Sequence, residues 1–239
     1  MGKHLVFIDP GHGGRDPGAI GNGLREKDLT LSIALKVGEV LKSHGLQIQY
    51  SRTTDAYMGL EERAKLANRS NAGIFVSIHI NSAKNTLARG VETYHYPGSV
   101  KGRELATAIQ NSLVASKVFS HNRKVKTANH AVTRLTKMPA CLTELGFIVN
   151  SQDAQLLKTK QLEIAQAIAR GILNYLGMAY KEEQNTTSKD QPSAWAKEAW
   201  EWGWKNKIVD GTRPKDGATR EELITMLYKY HANVNYPRL

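Results

Sequence analysis

Cysteine occurs once in the 239 residues, at Cys141, which excludes an internal disulfide and fits synthesis in a reducing compartment. No apolar stretch approaches the ~18 residues that a membrane-spanning helix requires, so insertion into a membrane is not expected. The opening residues, MGKHLVFIDPGHGG, carry one lysine and a short apolar run with no small-residue cleavage site after it. That pattern lacks the core of a signal peptide, and the chain is expected to be made in the cytoplasm without a conventional signal. HExxH, GxSxG and a Walker-type G-K-[ST] are all absent, so the common metalloprotease, serine-hydrolase and phosphate-loop signatures give nothing. Basic and aromatic residues do not interleave as in a known nucleic-acid module, and nucleic acid is not an expected partner.

What is present is an ordinary soluble composition, 41% hydrophobic and 23% charged, with a net charge of +11. Such a charge favours an anionic partner, whether nucleic acid, acidic lipid or a cell-wall polymer, and does not choose among them. Its densest stretch, HNRKVKTANHAVTRLTK (121–137), reads most simply as a solvated loop.

From residue 5 to about 176 the pattern alternates strand and helix. LVFID (5–9), GIFVSI (73–78) and ACLT (140–143) are short apolar runs of the kind buried in a parallel sheet. LQIQYS (46–51) and GVETYHY (90–96) read as half-buried strands. Helices are expected over about 29–43, 60–68, 101–114 and 161–176, the first with Leu31, Ala34, Leu35, Gly38 and Leu41 as its core stripe. The expected fold is therefore α/β, a mostly parallel twisted sheet flanked by helices. A polar, aperiodic segment over 177–192 reads as a linker. Beyond it all four tryptophans (Trp195, Trp200, Trp202 and Trp204) fall within ten residues, and Thr219 with Glu222 forms a capping box for a helix of about 220–231. The expected domains are thus 1–176, a linker over 177–192, and a small helical domain over 193–239.

Each apolar strand leads into a residue able to hold or serve a metal: His12 in the Gly11–Gly14 loop, then His79, then Glu144. In open α/β sheets the ligand site lies beyond the carboxyl ends of the strands. A lone histidine in a glycine loop is ordinarily a turn residue, and Glu26 before the first helix could simply favour the helix dipole. Two imidazoles and a carboxylate on one sheet edge, however, suit zinc with its fourth position open. A phosphate-cradling loop is the competing reading of Gly11–Gly14. Asp16 stands at the third glycine position of G-x-G-x-x-G and Pro17 where a helix would begin, which argues against it.

DPGHGGRDPGAIGNGLREKDL (9–29), SRTTDAYMGLEERAKLAN (51–68), FVSIHIN (75–81), GVETY (90–94) and MPACLTELGFIVN (138–150) resemble, in order, the motifs of the zinc-dependent N-acetylmuramoyl-L-alanine amidases of the Amidase_3 type. The resemblance implies hydrolysis of the amide joining N-acetylmuramic acid to L-alanine in peptidoglycan. It implies His12, Glu26 and His79 as ligands of a Zn2+ cofactor and Glu144 as the catalytic acid/base. Arg52, Arg63, Asn68 and Asn81 match family positions and read as structural support. Ser51 stands where threonine usually precedes the arginine.

The tryptophan-rich segment more weakly resembles a single S-layer-homology-like unit. That implies a cell-wall-binding domain for anionic secondary wall polymers, against the plainer reading of a small aromatic core. An amidase made without a signal would reach the wall through a membrane lesion or at lysis, as a phage or prophage endolysin does, or a mother-cell lytic enzyme. Another zinc amidohydrolase or peptidase on the same scaffold, or a non-catalytic wall-binding protein, are the alternatives.

Overall fold

The computed structural model describes residues 2–181, 197–209, 223 and 225–227. The chain divides into two compact units, Met1–Tyr180 and Lys181–Leu239. Residues 182–192 of the expected linker fall outside the described residues, as does most of the helix expected over 220–231, whose described positions are helical.

In chain order the first unit runs β1 (Gly2–Pro10), β2 (Ile20–Gly21), β3 (Leu24–Arg25), α1 (Glu26–Ser43), β4 (Gln47–Tyr50), α2 (Leu60–Arg69), β5 (Ala72–Asn81), β6 (Val91–His95), α3 (Val100–Ala115), β7 (Asn122–Thr127), α4 (Ala131–Leu135), β8 (Ala140–Phe147), α5 (Ser151–Thr159) and α6 (Gln161–Tyr175). The second unit contributes α7 (Lys197–Lys205). Six strands form one sheet in the order β4-β1-β5-β8-β6-β7. The pairs β1/β4, β1/β5, β5/β8 and β6/β7 are parallel, and β6/β8 is antiparallel. The α/β expectation of a mostly parallel sheet flanked by helices holds. Among the described residues no helix is long and apolar enough to cross a membrane.

Alternation along each strand gives the sheet two different faces. Val6 and Ile8 of β1, Ile74, Val76 and Ile78 of β5, and Cys141 and Leu145 of β8 point one way, into the main core. Ile33, Val37 and Leu41 of α1, Leu105, Ile109 and Leu113 of α3, and Ile164, Ile168 and Ile172 of α6 meet them there. The other face carries a smaller cluster, Phe7, Phe75, Ala140 and Leu142 against Ala67 of α2 and Val132 of α4. Continuing the same alternation toward the carboxyl ends of the strands, this second face bears Asp9, Ser77, His79, Asn81 and Glu144, with Glu92 and Tyr94 from the antiparallel β6. The apolar cover stops where these polar residues begin.

Four expectations shift. His79 and Glu144 lie inside β5 and β8, facing each other in register, and not beyond the strand ends. The strands continue because the alternation continues: Ile80 and Leu145 still face the main core while His79 and Glu144 face the site. The basic stretch is not a loop: it forms β7 and α4. β7 pairs on one side only, and an edge strand has no call for a continuous apolar run while lysines discourage further pairing. α1 begins at Glu26, three residues earlier than expected, and its buried face is Leu29, Ile33, Ala34, Val37, Val40 and Leu41, with Leu31 and Leu35 only half-buried. Apolar residues nearly encircle that helix, so spacing alone leaves the inward stripe ambiguous. The short β2/β3 hairpin carries no apolar alternation and has no strand signal.

Two buried arginines tie the β1–α1 loop to the sheet. Arg63 donates to Asp9 Oδ1 at 2.7 Å, to the Pro10 carbonyl at 2.6 Å and to the His12 carbonyl at 2.6 Å. Arg52 donates to the carbonyls of Pro10 at 3.1 Å, Gly11 at 2.8 Å and Lys27 at 2.8 Å. Ser51 and Ser77 complete the shell of Asp9 at 2.5 and 2.7 Å. Burial opposes ionisation of Asp9, but Arg63 and the two hydroxyls outweigh it and hold its pKa below the usual value. Removing one member of a buried pair strands the other, so Arg63→Ala is expected to cost about 3–5 kcal/mol in urea unfolding. A loss under about 1 kcal/mol would show that the pair carries little of the fold.

Candidate metal centre

The Gly11–Gly18 loop leaves β1 at the sheet's carboxyl edge and returns to open α1, so it presents His12 from one side while α1 presents Glu26 from another. His12 itself sits at φ 61°, a left-handed conformation uncommon for a residue with a side chain and frequent at functional sites. Two glycines are required by close approach. A Cβ on Gly11 would lie 2.4 Å from Cε1 of His79, and one on Gly18 would lie 2.7 Å from both Glu26 Oε2 and His12 Cδ2. The imidazoles therefore rest directly on bare backbone.

His12, Glu26 and His79 each offer one ligand atom, and these atoms lie within 4.8 Å of one another. Glu26 Oε1 is 3.1 Å from His12 Nε2 and 2.9 Å from His79 Nδ1, and also accepts from the Ile80 amide at 2.9 Å. Glu26 Oε2 accepts from the Ala19 amide at 2.8 Å. The two rings meet edge to face, with centroids 4.9 Å apart. Burial disfavours the charged form of Glu26, yet the two imidazoles overcome it and lower its pKa. For His12, burial acts downward while Glu26 and Asp16 act more strongly upward, so its pKa rises.

The donor set was tested against zinc on the chemistry present. Two imidazole nitrogens and one carboxylate oxygen converge, which is the ligand complement of a catalytic zinc with one open position. His12 turns its other nitrogen, Nδ1, to Asp16 Oδ2 at 2.8 Å, and metal-binding histidines ordinarily anchor their second nitrogen in this way. The residues fit the ion. Asp16, considered in the sequence only as a departure from a phosphate loop, is thus the orienting carboxylate of His12. The four-residue step from His12 was its one available signal.

Glu144 lies across the strand pair from His79 on one side and from Glu92 on the other. Its Oε2 is buried with no hydrogen-bond partner among the described residues. Burial first, then the carboxylates of Glu26 and Glu92, push its pKa well above the ordinary value. Glu92 has the opposite surroundings. Asn81 and the Tyr94 hydroxyl donate to its Oε1, both at 2.7 Å, while Arg123 (2.7 Å) and Lys126 donate to Oε2. Burial again opposes ionisation, but Lys126, Tyr94 and Arg123 hold its pKa down. Glu92 and Tyr94 were not singled out in the sequence; only the inward position of a carboxylate on an alternating strand marks them. Asn68, accepting from the Lys137 amide at 2.8 Å and donating to the Leu135 carbonyl at 2.8 Å, pins α4 to α2 and has no place in the site.

The family model described as N-acetylmuramoyl-L-alanine amidase matches residues 6–174. The chain is 43% identical over 185 residues to the sporulation-specific N-acetylmuramoyl-L-alanine amidase of Bacillus subtilis, covering 77% of this chain and 71% of that protein. It is 32% identical over 249 residues to the endolysin of Bacillus phage SPP1, covering 93% of this chain and 89% of that one. Among solved structures, the amidase AmiC2 of Nostoc punctiforme superposes with a TM-score of 0.70 at 41% identity, over 74% of this chain and 98% of that chain.

Loss of the carboxylate that orients a metal-binding histidine commonly costs 10–100-fold in affinity. Asp16→Ala is therefore expected to weaken zinc binding by about that factor, read by competition with a chromophoric chelator; unchanged affinity would mean the His12–Asp16 contact does not serve a metal.

Proposed function

The chain belongs to the N-acetylmuramoyl-L-alanine amidase family, and from that premise we propose that it cleaves the amide between N-acetylmuramic acid and L-alanine in peptidoglycan with Zn2+ held by His12, Glu26 and His79. The observation that carries this reading is the pairing of that cluster with Glu144, whose buried Oε2 has no partner among the described residues and which lies opposite His79 in register. A bound zinc ion would supply Lewis acidity toward the amide carbonyl and toward water at the open position. Glu26 and the two imidazoles hold the ion, and Asp16 fixes the ring of His12. Glu144 takes the proton from the attacking water and delivers it to the departing nitrogen of L-alanine. An amide nitrogen leaves poorly unless protonated, so a carboxyl group that accepts and then donates is what the reaction requires. The environment of Glu144 suits that exchange, because its burial and the neighbouring carboxylates make the protonated form accessible. Glu92, held ionised by four donors, keeps its charge beside it.

The second unit is read as a wall-binding domain over 193–239, with anionic secondary wall polymers as its ligand class. Two observations support this. Trp202 and Trp204 of α7 are 48% and 62% exposed, more than a closed aromatic core would leave. The alignment with the phage endolysin also spans too large a share of the chain to stop at the first unit. That same alignment favours a lytic role at the wall after membrane permeabilisation, in the manner of an endolysin; the sporulation-specific relative favours a mother-cell lytic enzyme as the second reading.

Two outcomes test the proposal. Glu144→Gln is expected to lower release of amino-terminal alanine from purified walls by at least about 10²-fold while zinc content and melting temperature stay unchanged. Chelation is expected to abolish wild-type activity and added zinc to restore it. Release of other end groups, or an active Glu144→Gln protein, would contradict the assignment. Trp202→Ala combined with Trp204→Ala is expected to weaken co-sedimentation with walls and to spare cleavage of soluble muropeptides; unaltered co-sedimentation would overturn the wall-binding reading.

A further inference from the structure

The basic stretch is not exhausted by its two secondary elements. Between β7 and α4 stands His130, at the N-cap position of α4, where it makes no side-chain capping bond. Its ring lies edge-on to Tyr94, centroids 5.2 Å apart and planes at 89°. Nε2 of that ring is buried and has no hydrogen-bond partner among the described residues. Buried polar atoms are nearly always paired, and an orphan at a site is left for water, an ion or a ligand to satisfy.

The place of this orphan decides its meaning. The buried unpartnered side-chain atoms among the described residues are Ser112 Oγ, His130 Nε2 and Glu144 Oε2. Ser112 is on α3, on the far side of the sheet. His130 and Glu144 both belong to the second face: the charge of Glu144 acts on Tyr94, against which His130 packs, and His79 acts electrostatically on His130 itself. The polar groups around the Tyr94 hydroxyl are committed to one another. The Tyr94 hydroxyl donates to Glu92, and Glu92 accepts from Asn81, Arg123 and Lys126 as well. Neither makes a hydrogen bond to the imidazole.

Burial and the neighbouring His79 lower the pKa of His130, so the ring stands neutral, with one nitrogen a donor and the other an acceptor. A neutral imidazole offers one donor and one acceptor, which matches the N–H and carbonyl of an uncharged amide. The ring is fixed from two sides, by Tyr94 and by the start of α4, so its free nitrogen is pre-oriented.

Resting on the amidase reading above, we propose that His130 is a substrate-binding residue, its Nε2 hydrogen-bonding an amide group of the muropeptide stem beside the scissile bond. It positions the substrate and takes no part in bond breaking. Its contribution lies in binding the ground state and the transition state alike, which raises KM when lost and leaves kcat nearly unchanged.

The test compares His130→Phe, which keeps the flat ring against Tyr94 but deletes the nitrogen, with His130→Gln, which restores a polar group at about the same reach. Cleavage of a soluble N-acetylmuramoyl-tetrapeptide is followed in both, with bound zinc and melting temperature measured in parallel. His130→Phe is expected to raise KM about tenfold, with kcat within about twofold and zinc content and melting temperature unchanged; His130→Gln is expected to recover most of the loss. Calorimetric binding of the same muropeptide to the Glu144→Gln protein, with and without His130→Phe, reads the contact without turnover. An unchanged KM and binding constant in His130→Phe would overturn the proposal. So would a loss of activity that tracks lower melting temperature and is not rescued by glutamine, since that is the signature of a packing role. Should wild-type protein release no alanine ends, the amidase reading fails by itself, and the calorimetric arm still decides whether His130 contacts the muropeptide.

Discussion

The arrangement of the site depends on two guanidinium groups gripping three consecutive carbonyls. Arg52 and Arg63 between them hold Pro10, Gly11 and His12 at their backbone oxygens, and Arg63 reaches the buried carboxylate of Asp9 in the same geometry. A loop with glycines at 11, 13, 14 and 18 would otherwise have great conformational freedom. The clamp removes that freedom where it matters and stabilises the left-handed backbone of His12. A planar fork with five donors can satisfy several carbonyls at once; a lysine cannot. The cost of burying two cations is offset by Asp9 and by the density of acceptors, and the loop that results is rigid enough to seat an imidazole against bare backbone.

Three glutamates, Glu92 and Glu144 on the second face of the sheet and Glu26 at the start of α1, differ in what surrounds them. Glu26 is enclosed by two imidazoles and two amides, and the imidazoles hold its pKa down. Glu92 receives two cations, an amide and a phenol, and is ionised as an anchor. Glu144 Oε2 has no partner among the described residues, and burial with the charges of Glu26 and Glu92 raises its pKa. Environments that drive like groups apart in acidity are how one fold assigns ligand, anchor and acid/base roles to identical side chains.

Much of this was legible in the sequence because chemistry and periodicity coincided. The apolar runs of β1, β5 and β8 are buried on both faces, so they announced themselves without alternation, and the polar residue after each run was the natural place to look. What spacing could not convey was that His79 and Glu144 continue their strands, because a residue facing a cleft needs no apolar signature. β7 was hidden for a related reason: an edge strand of lysine and arginine resembles a solvated loop until its pairing is known. Glu92 and His130 acquire meaning from contacts with residues distant in sequence, such as Arg123 and Lys126 for Glu92 and Tyr94 for His130, while Asp16 offers only its four-residue step from His12. The second unit carries a compositional signal, four tryptophans in ten residues, that by itself does not separate a binding surface from a small aromatic core.

The central claim is that His12, Glu26 and His79 form one zinc centre, and X-ray absorption at the zinc edge on the loaded protein tests it most directly. The account predicts a first shell of two imidazole nitrogens at about 2.0–2.1 Å and oxygen at about 2.0–2.2 Å, with total coordination near four. A sulfur scatterer at about 2.3 Å, a single imidazole, or a shell of oxygen alone would place the metal elsewhere and contradict the account.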